Sequence, residues 1–207
     1  MTVSDDLELL EKYGFRVLPH ALATTEDEAA IAAKKIGYPV ALKIVSPEIE
    51  HKSDVGGVKI KIKSEEALRL AYKEVVAGAK GKLIDGVLVQ KMARKGIELI
   101  IGGKKDPQFG HMIIVGLGGV YVEIFRDVSA RICPLETKDI VEMLSELKAH
   151  PLLEGARGKK PINKKAFETL VLRASRMMTK EDMSEMDLNP VICDERGCDI
   201  VDARFIR

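Results

Sequence analysis

Helix-type and strand-type periodicities alternate along this chain in two blocks, which limits it to mixed α and β architectures with at least two packed layers. In the first block Ser4, followed by Asp5 and Asp6, caps a short helix reaching residue 13, and residues 15–18 form a strand ending at Pro19. Thr25 and Glu28 make a capping box for an Ala-rich helix through residue 36, which Gly37 terminates. A strand over 41–45, a loop, an alternating strand over 58–63 and a helix over 64–77 follow. A Gly and Lys patch, GAKGK, then loosens the chain before a buried-type strand over 86–92 and the turn ARKG. Strands over 97–101 and 112–117, a tight turn at Gly116, Gly118 and Gly119 before YVEIF, and helices over 137–148 and 163–178 around the basic loop GARGKKP lead to a terminal hairpin. The hinge between the blocks falls near residues 91–96.

Composition narrows the class. At 207 residues, 46% hydrophobic and 31% charged, the chain is long enough for one sizeable core or two small lobes, without help from metals or disulfides. A net charge of +1 and an aromatic content of 4% without Trp supply neither the field nor the stacking surface for nucleic acid or an anionic membrane. No apolar run reaches the roughly 20 residues of a membrane span, and MTVSDDLELL lacks the regions of a signal peptide, so the expected location is cytoplasmic. Cys133, Cys193 and Cys198 are odd in number and form no CxxC spacing; they read as small buried residues of a protein kept in a reducing compartment.

The terminal hairpin can be read almost geometrically. The turn DERG sets a register in which Asn189 faces Asp202 and Asp187 faces Arg204, while Leu188, Ile192, Val201, Ala203 and Phe205 take the opposite, core-covering face. Directly opposed residues carry Cβ atoms about 5 Å apart, so Asn189 and Asp202 can put two oxygens on one small hard cation. Magnesium suits that arrangement, with water and nucleotide phosphates completing its shell. The other reading of the same residues is a solvated face with an Asp187–Arg204 ion pair.

The segment GYPVALKIVSPEIEHKSDVGGVKI, residues 37–60, brings three groups suited to phosphate into one strand, loop and strand. Lys43 inside PVALKIV is either a snorkelling lysine at a strand end or a fixed charge aimed into a cleft. His51 and Lys52 precede Gly56 and Gly57, whose missing side chains allow backbone amides close to an anion. An imidazole near its neutral pKa is also a nucleophile toward phosphorus, which makes His51 a candidate phosphate carrier. Glu98, between apolar neighbours in IELIIGG, reads as a buried carboxylate needing partners, which ribose hydroxyls or a lysine would supply.

Taken together, Lys43, GGV at 56–58, Gln90-Lys-Met, Glu98, GLGG with Glu123, and the terminal MDLNP and VDAR resemble an ATP-grasp domain. More narrowly, GYPVALKIVSPEIEHKSDVGGV, DPQFG, GARG and DLNPV resemble the beta subunit of ADP-forming acyl-CoA (acetyl-CoA) synthetases, in the succinyl-CoA synthetase superfamily. The resemblance covers nearly the whole chain, and HKSDVGGV is its most specific part. It implies an α+β ATP-grasp fold of two α/β lobes with the nucleotide between them. Residues 1–92 would form the N-terminal part and the phosphate-loop lobe, and 93–207 the lobe with the magnesium-binding hairpin.

By that resemblance Lys43 contacts nucleotide phosphates, Gly56 and Gly57 cover them, Gln90, Lys91 and Met92 meet the adenine, and Glu98 holds the ribose. Asn189 and Asp202 bind Mg²⁺, His51 is a transiently phosphorylated carrier, and Asp187 orients the incoming phosphohistidine unless it only pairs with Arg204. Glu123 and Arg131 are cleft residues without an assigned role. The implied activity is that of an acetate–CoA ligase (ADP-forming), an acid–thiol ligase: acyl-CoA, ADP and phosphate give acid, CoA and ATP. The chain carries no CoA-binding fingerprint, so an alpha subunit with the CoA and acyl sites, in an α2β2 heterotetramer, is the implied partner. Two other classes remain open: an ATP-grasp carboxylate–amine ligase, which needs no histidine carrier, and a non-catalytic nucleotide-binding subunit. Two departures from the family pattern are a shortened approach to DLNP, RMMTKEDMSEM, and His111 after DPQFG.

Overall fold

The computed structural model describes residues 3–49, 51–119, 127–158 and 160–207. Its elements in chain order are α1 (Val3–Lys12), β1 (His20–Ala23), α2 (Glu26–Ile36), β2 (Val40–Val45), β3 (Val58–Ile62), α3 (Glu65–Gly78), β4 (Gly86–Lys91), β5 (Ile97–Asp106) and β6 (Gly110–Leu117). They continue with β7 (Val128–Ile132), α4 (Thr137–Glu146), α5 (His150–Leu153), α6 (Lys164–Lys180), β8 (Glu185–Asp194), β9 (Gly197–Ile200) and β10 (Ala203–Ile206). Their contacts divide into two compact units: Leu18–Met92, and Ala93–Arg207 together with Asp6–Val17. No helix among the described residues is long and apolar enough to cross a membrane.

The Leu18–Met92 unit is a four-stranded antiparallel sheet, β1-β4-β2-β3, with α2 and α3 on one face. Alternation explains its core: Val40, Leu42 and Ile44 on β2 and Val87 and Val89 on β4 turn toward the helices, where Ala29, Ala33, Leu68 and Val75 meet them. The odd residues of β2 and the even residues of β4 therefore share the opposite face. Thr25 caps α2 by accepting the Glu28 N–H at 3.2 Å, and the Glu28 carboxylate reaches back chiefly to the N–H and hydroxyl of Thr24, both at 2.8 Å, so the reciprocal contact extends one residue beyond the expected box. Residues 15–18 hold only an isolated bridge, Val17 to Ile200, and the first strand forms after Pro19 instead of before it. Proline cannot donate to a ladder, so pairing starts beyond it. Ser4 lies inside α1 and not ahead of it.

The second unit is a six-stranded antiparallel sheet, β10-β8-β5-β6-β7 with β9 paired to β8. α6 covers one face through Phe167, Leu170, Val171, Ala174, Met177 and Met178, all buried at the spacing of one helical stripe. Asn163 caps it, accepting the Ala166 N–H at 3.0 Å. β7, absent from the sequence reading, lies at the sheet edge beside β6.

β8 carries a phase slip. Leu99 pairs with Val191 and Ile101 with Leu188, so Asn189 and Pro190 together oppose Ile100. Before the bulge Met186 and Leu188 are buried; after it Val191 and Cys193 are. Ile192 and Val201 are consequently only half-buried, which corrects the expectation that they continue the core-covering face of Leu188, Ala203 and Phe205. Cys193 and Cys198 sit opposite each other and form a disulfide, which corrects the reading of them as unpaired buried residues. The DERG register already placed them face to face. Cys133 remains a free thiol, and burial pushes its pKa up.

Candidate functional site

Lys43 is 5% exposed in the middle of β2, with Val58 on one side and Leu88 on the other. Burial at that level removes the snorkelling reading: the ammonium is held within protein, on the sheet face away from α2 and α3. Gln90 shares that face, opposite Ala41 and His20, and is 1% exposed. Among the described residues its Nε2 has no hydrogen-bond partner, a costly state for a buried amide and one that a ligand acceptor would relieve. Lys91, one residue on, turns the other way and donates through Nζ to the carbonyls of Gly37 (2.6 Å) and Tyr38 (3.2 Å), holding the end of α2. Met92 donates its N–H to Pro39 O at 3.3 Å and accepts Lys61 N–H at Sδ, 3.4 Å away. The triplet expected at the adenine is thus split: one side chain is available and two hold the local fold.

The loop after β2 is a compact turn. The His51 carbonyl accepts the Asp54 N–H at 3.2 Å, while the His51 side chain is exposed. Gly56 N–H donates to Ser53 O at 3.1 Å and Gly57 N–H to Lys52 O at 2.7 Å. Both glycine amides therefore close the loop, which corrects the expectation that they stand open to an anion. A Cβ at Gly57 would lie 2.5 Å from Ile44 Cγ2 and 2.8 Å from Lys52 O, so glycine is there for close approach. Gly78 at the end of α3 does the same from below, since its Cβ would lie 2.3 Å from Val55 O. The sequence reading passed over Gly78 as part of a loosening patch. On the other shoulder Ser46 Oγ donates to Leu83 O (2.5 Å), Leu83 N–H to Glu48 Oε2 (3.1 Å) and Lys82 Nζ to Glu48 O (3.3 Å).

In the second unit the pairing holds register from Asp194 with Gly197 down to Glu185 with Ile206. Asp187 faces Arg204, and Asn189 donates its N–H to Asp202 O at 3.2 Å, as the turn arithmetic requires. Asn189 is exposed and Asp202 half-buried. Desolvation by the surrounding sheet and then the charge of Asp202 push the Asp187 carboxyl above its usual pKa, with Arg204 pulling the other way. Among the described residues no group of three or more His, Cys, Asp or Glu is placed to hold a metal. Asn189 and Asp202 offer two hard oxygens, too few for a protein-only cage and suited to an ion that keeps water and phosphate ligands.

Glu98 on β5 is exposed, not buried as its apolar neighbours suggested; its carbonyl accepts the Gly118 N–H at 2.7 Å. Arg131 on β7 is engaged by Glu146 of α4 at 2.5 Å, with Glu142 at 3.7 Å. Glu123 lies outside the described residues. The hairpin tip is clamped by Arg94, which reaches Asp194 (3.2 Å) and the buried Asp199 (3.1 Å).

The chain matches the ATP-grasp domain family over residues 1–206. It is 42% identical over 204 residues to the acetate–CoA ligase [ADP-forming] I subunit beta of Pyrococcus furiosus, covering 96% of this chain and 88% of that protein. It is 47% identical over 208 residues to acetate–CoA ligase [ADP-forming] I of Archaeoglobus fulgidus, where 98% of this chain spans only 30% of the relative's length. Among solved structures, acetyl-coenzyme A synthetase 1 of Ca. Korarchaeum cryptofilum, in complex with coenzyme A and Ca-AMPCP, superposes with a TM-score of 0.96 at 46% identity, covering 100% of this chain and 92% of that one. Another structure of that protein, with coenzyme A and Mg-AMPPCP and described as having its phosphohistidine segment pointing towards the nucleotide binding site, gives 0.87 at 45% identity, covering 98% of this chain and 90% of that chain. The chain belongs to the ATP-grasp domain family and, within it, to the family of the beta subunits of ADP-forming acetate–CoA ligases.

Proposed function

We propose that this chain is the nucleotide-handling subunit of an ADP-forming acyl-CoA synthetase and moves a phosphoryl group between His51 and ADP. The observation that carries this reading is His51 itself: an exposed imidazole on a compact turn that follows the strand of the buried Lys43, in a chain 42% identical to a beta subunit. In the ATP-forming direction a terminal oxygen of ADP attacks the phosphorus carried by His51. The P–N bond breaks as the P–O bond forms, and the imidazole nitrogen leaves with the electron pair and takes up a proton. Lys43 neutralises phosphate charge, and its burial keeps that charge fixed and poorly screened. Gln90 meets the adenine, Glu98 the ribose, and Asn189 and Asp202 would hold Mg²⁺, which would supply positive charge against that of the nucleotide phosphates. The role left to Asp187 is to orient an incoming phosphohistidine.

The acid, CoA and phosphate chemistry then belongs to an alpha subunit, and the net reaction is acyl-CoA, ADP and phosphate to acid, CoA and ATP. The assembly is an α2β2 complex in the cytoplasm. The reading is tested by incubating the protein with Mg-ATP labelled in the γ-phosphate, with and without alpha subunit, and measuring acid-labile, alkali-stable phosphate. Label on the parent chain and none on His51→Asn is the expected result. Equal labelling of the two proteins removes His51 from the relay.

A further inference from the structure

His20 opens β1 directly opposite Gln90, so the two side chains share the sheet face that also carries Lys43. The His20 Nδ1 lies 2.9 Å from Leu18 O. A carbonyl oxygen only accepts, so Nδ1 carries the hydrogen and the Nε2 of the neutral ring is left as an acceptor. Beside it stands the Gln90 amide, with an Nε2 donor that is buried and unpartnered. Leu22 and Leu88 pair immediately below on the same face, Leu22 being 42% exposed and Leu88 1%, and Ala41 lies across from Gln90. An acceptor and a donor side by side over an apolar floor are the complement of one purine edge. Adenine presents the N6 amine as donor and N7 as acceptor, whereas a 6-oxo purine presents two acceptors. By strand spacing and rise, His20 lies about 12 Å from Lys43 between Cα atoms, comparable to the reach from base to phosphates in an extended nucleoside diphosphate.

We propose that His20 and Gln90 read the purine edge of the nucleotide, His20 accepting from the 6-amino group and Gln90 donating to N7, so that His20 sets the preference for adenine over 6-oxo purines. The proposal rests on the nucleotide-binding reading above. Its test is calorimetric titration of the full chain, in magnesium, with ADP and with inosine diphosphate. The parent protein favours ADP by about tenfold, the effect of one hydrogen bond made or left unpaired. His20→Ala brings the two affinities together; His20→Gln, whose amide oxygen reaches the position of Nε2, restores the preference. Gln90→Leu weakens both nucleotides alike, because N7 is common to both bases. Thermal melts of each variant identify any that fail to fold, and the His20→Gln result stands apart from them. If the parent binds neither nucleotide, the nucleotide reading itself fails. If the parent binds both and His20→Ala leaves their ratio unchanged, His20 is only a strand-end histidine and this proposal is overturned.

Discussion

The loop after β2 and the β8–β9–β10 hairpin carry the two most informative motifs of the chain, and they behave oppositely. In the hairpin, pairing geometry decides where each side chain goes, so a four-residue turn was enough to place Asn189 opposite Asp202. In the loop, no ladder constrains the backbone, and the glycines that look like open anion donors instead donate to Ser53 O and Lys52 O. Residue type alone therefore indicates chemistry well where a repeating hydrogen-bond pattern fixes direction, and poorly where the same groups can satisfy one another locally.

That contrast can be broken by experiment. The largest expected effect is in the loop: His51→Asn abolishes phosphoryl transfer while ADP affinity, measured by calorimetry, stays within about twofold, since the change removes a nucleophile and leaves Lys43 in place. Next is the hairpin, where Asp202→Asn lowers magnesium-nucleotide affinity by at least about tenfold. The parent and the variant should converge in excess chelator; a difference that persists without metal would mean Asp202 acts structurally. Gly57→Ala comes third, destabilising the protein by about 1–3 kcal/mol because its Cβ meets Ile44 and the Lys52 carbonyl. The reading is a lower denaturant midpoint at unchanged slope. Gly56→Ala is smaller, about 1 kcal/mol, since its φ of 67° is strained for alanine but the space around it is open. If the order of the two glycines is reversed, the close approach of loop to sheet is not what fixes this turn.

Much of the fold was legible. The Thr25 cap, the glycine end of α2 and the start of α6 near residue 163 are local signals that tertiary structure left alone. Four features were not. The bulge at Asn189 and Pro190 shifts β8 by one residue relative to β5, and only the partner strand reveals it. β7 reads weakly because its alternation is inverted: Val128, Ala130 and Ile132 face solvent at a sheet edge, while the polar Ser129 and Arg131 take the inner side. Glu98 was misread because its flanking residues are apolar for the other face of β5, so apolar neighbours along a strand say nothing about the residue between them. Lys91, which the resemblance places with Gln90 as one segment, turns its side chain to the other face of β4, where its ammonium holds the Gly37 and Tyr38 carbonyls.

The hydrogen bonds from Ser46, Glu48 and Lys82 on one shoulder of the His51 turn, and the glycine contacts on the other, have a kinetic meaning. A phosphate carrier that travels must first leave its seat, and three such bonds at about 1 kcal/mol each slow departure by about two orders of magnitude. On the relay proposed above, the resting position of His51 would be a docked state, and turnover would be timed by undocking as much as by chemistry. Ser46→Ala, which frees one of those bonds without touching a reacting group, should shorten that wait and raise the rate of phosphoryl exchange severalfold wherever release of the turn is the slow step.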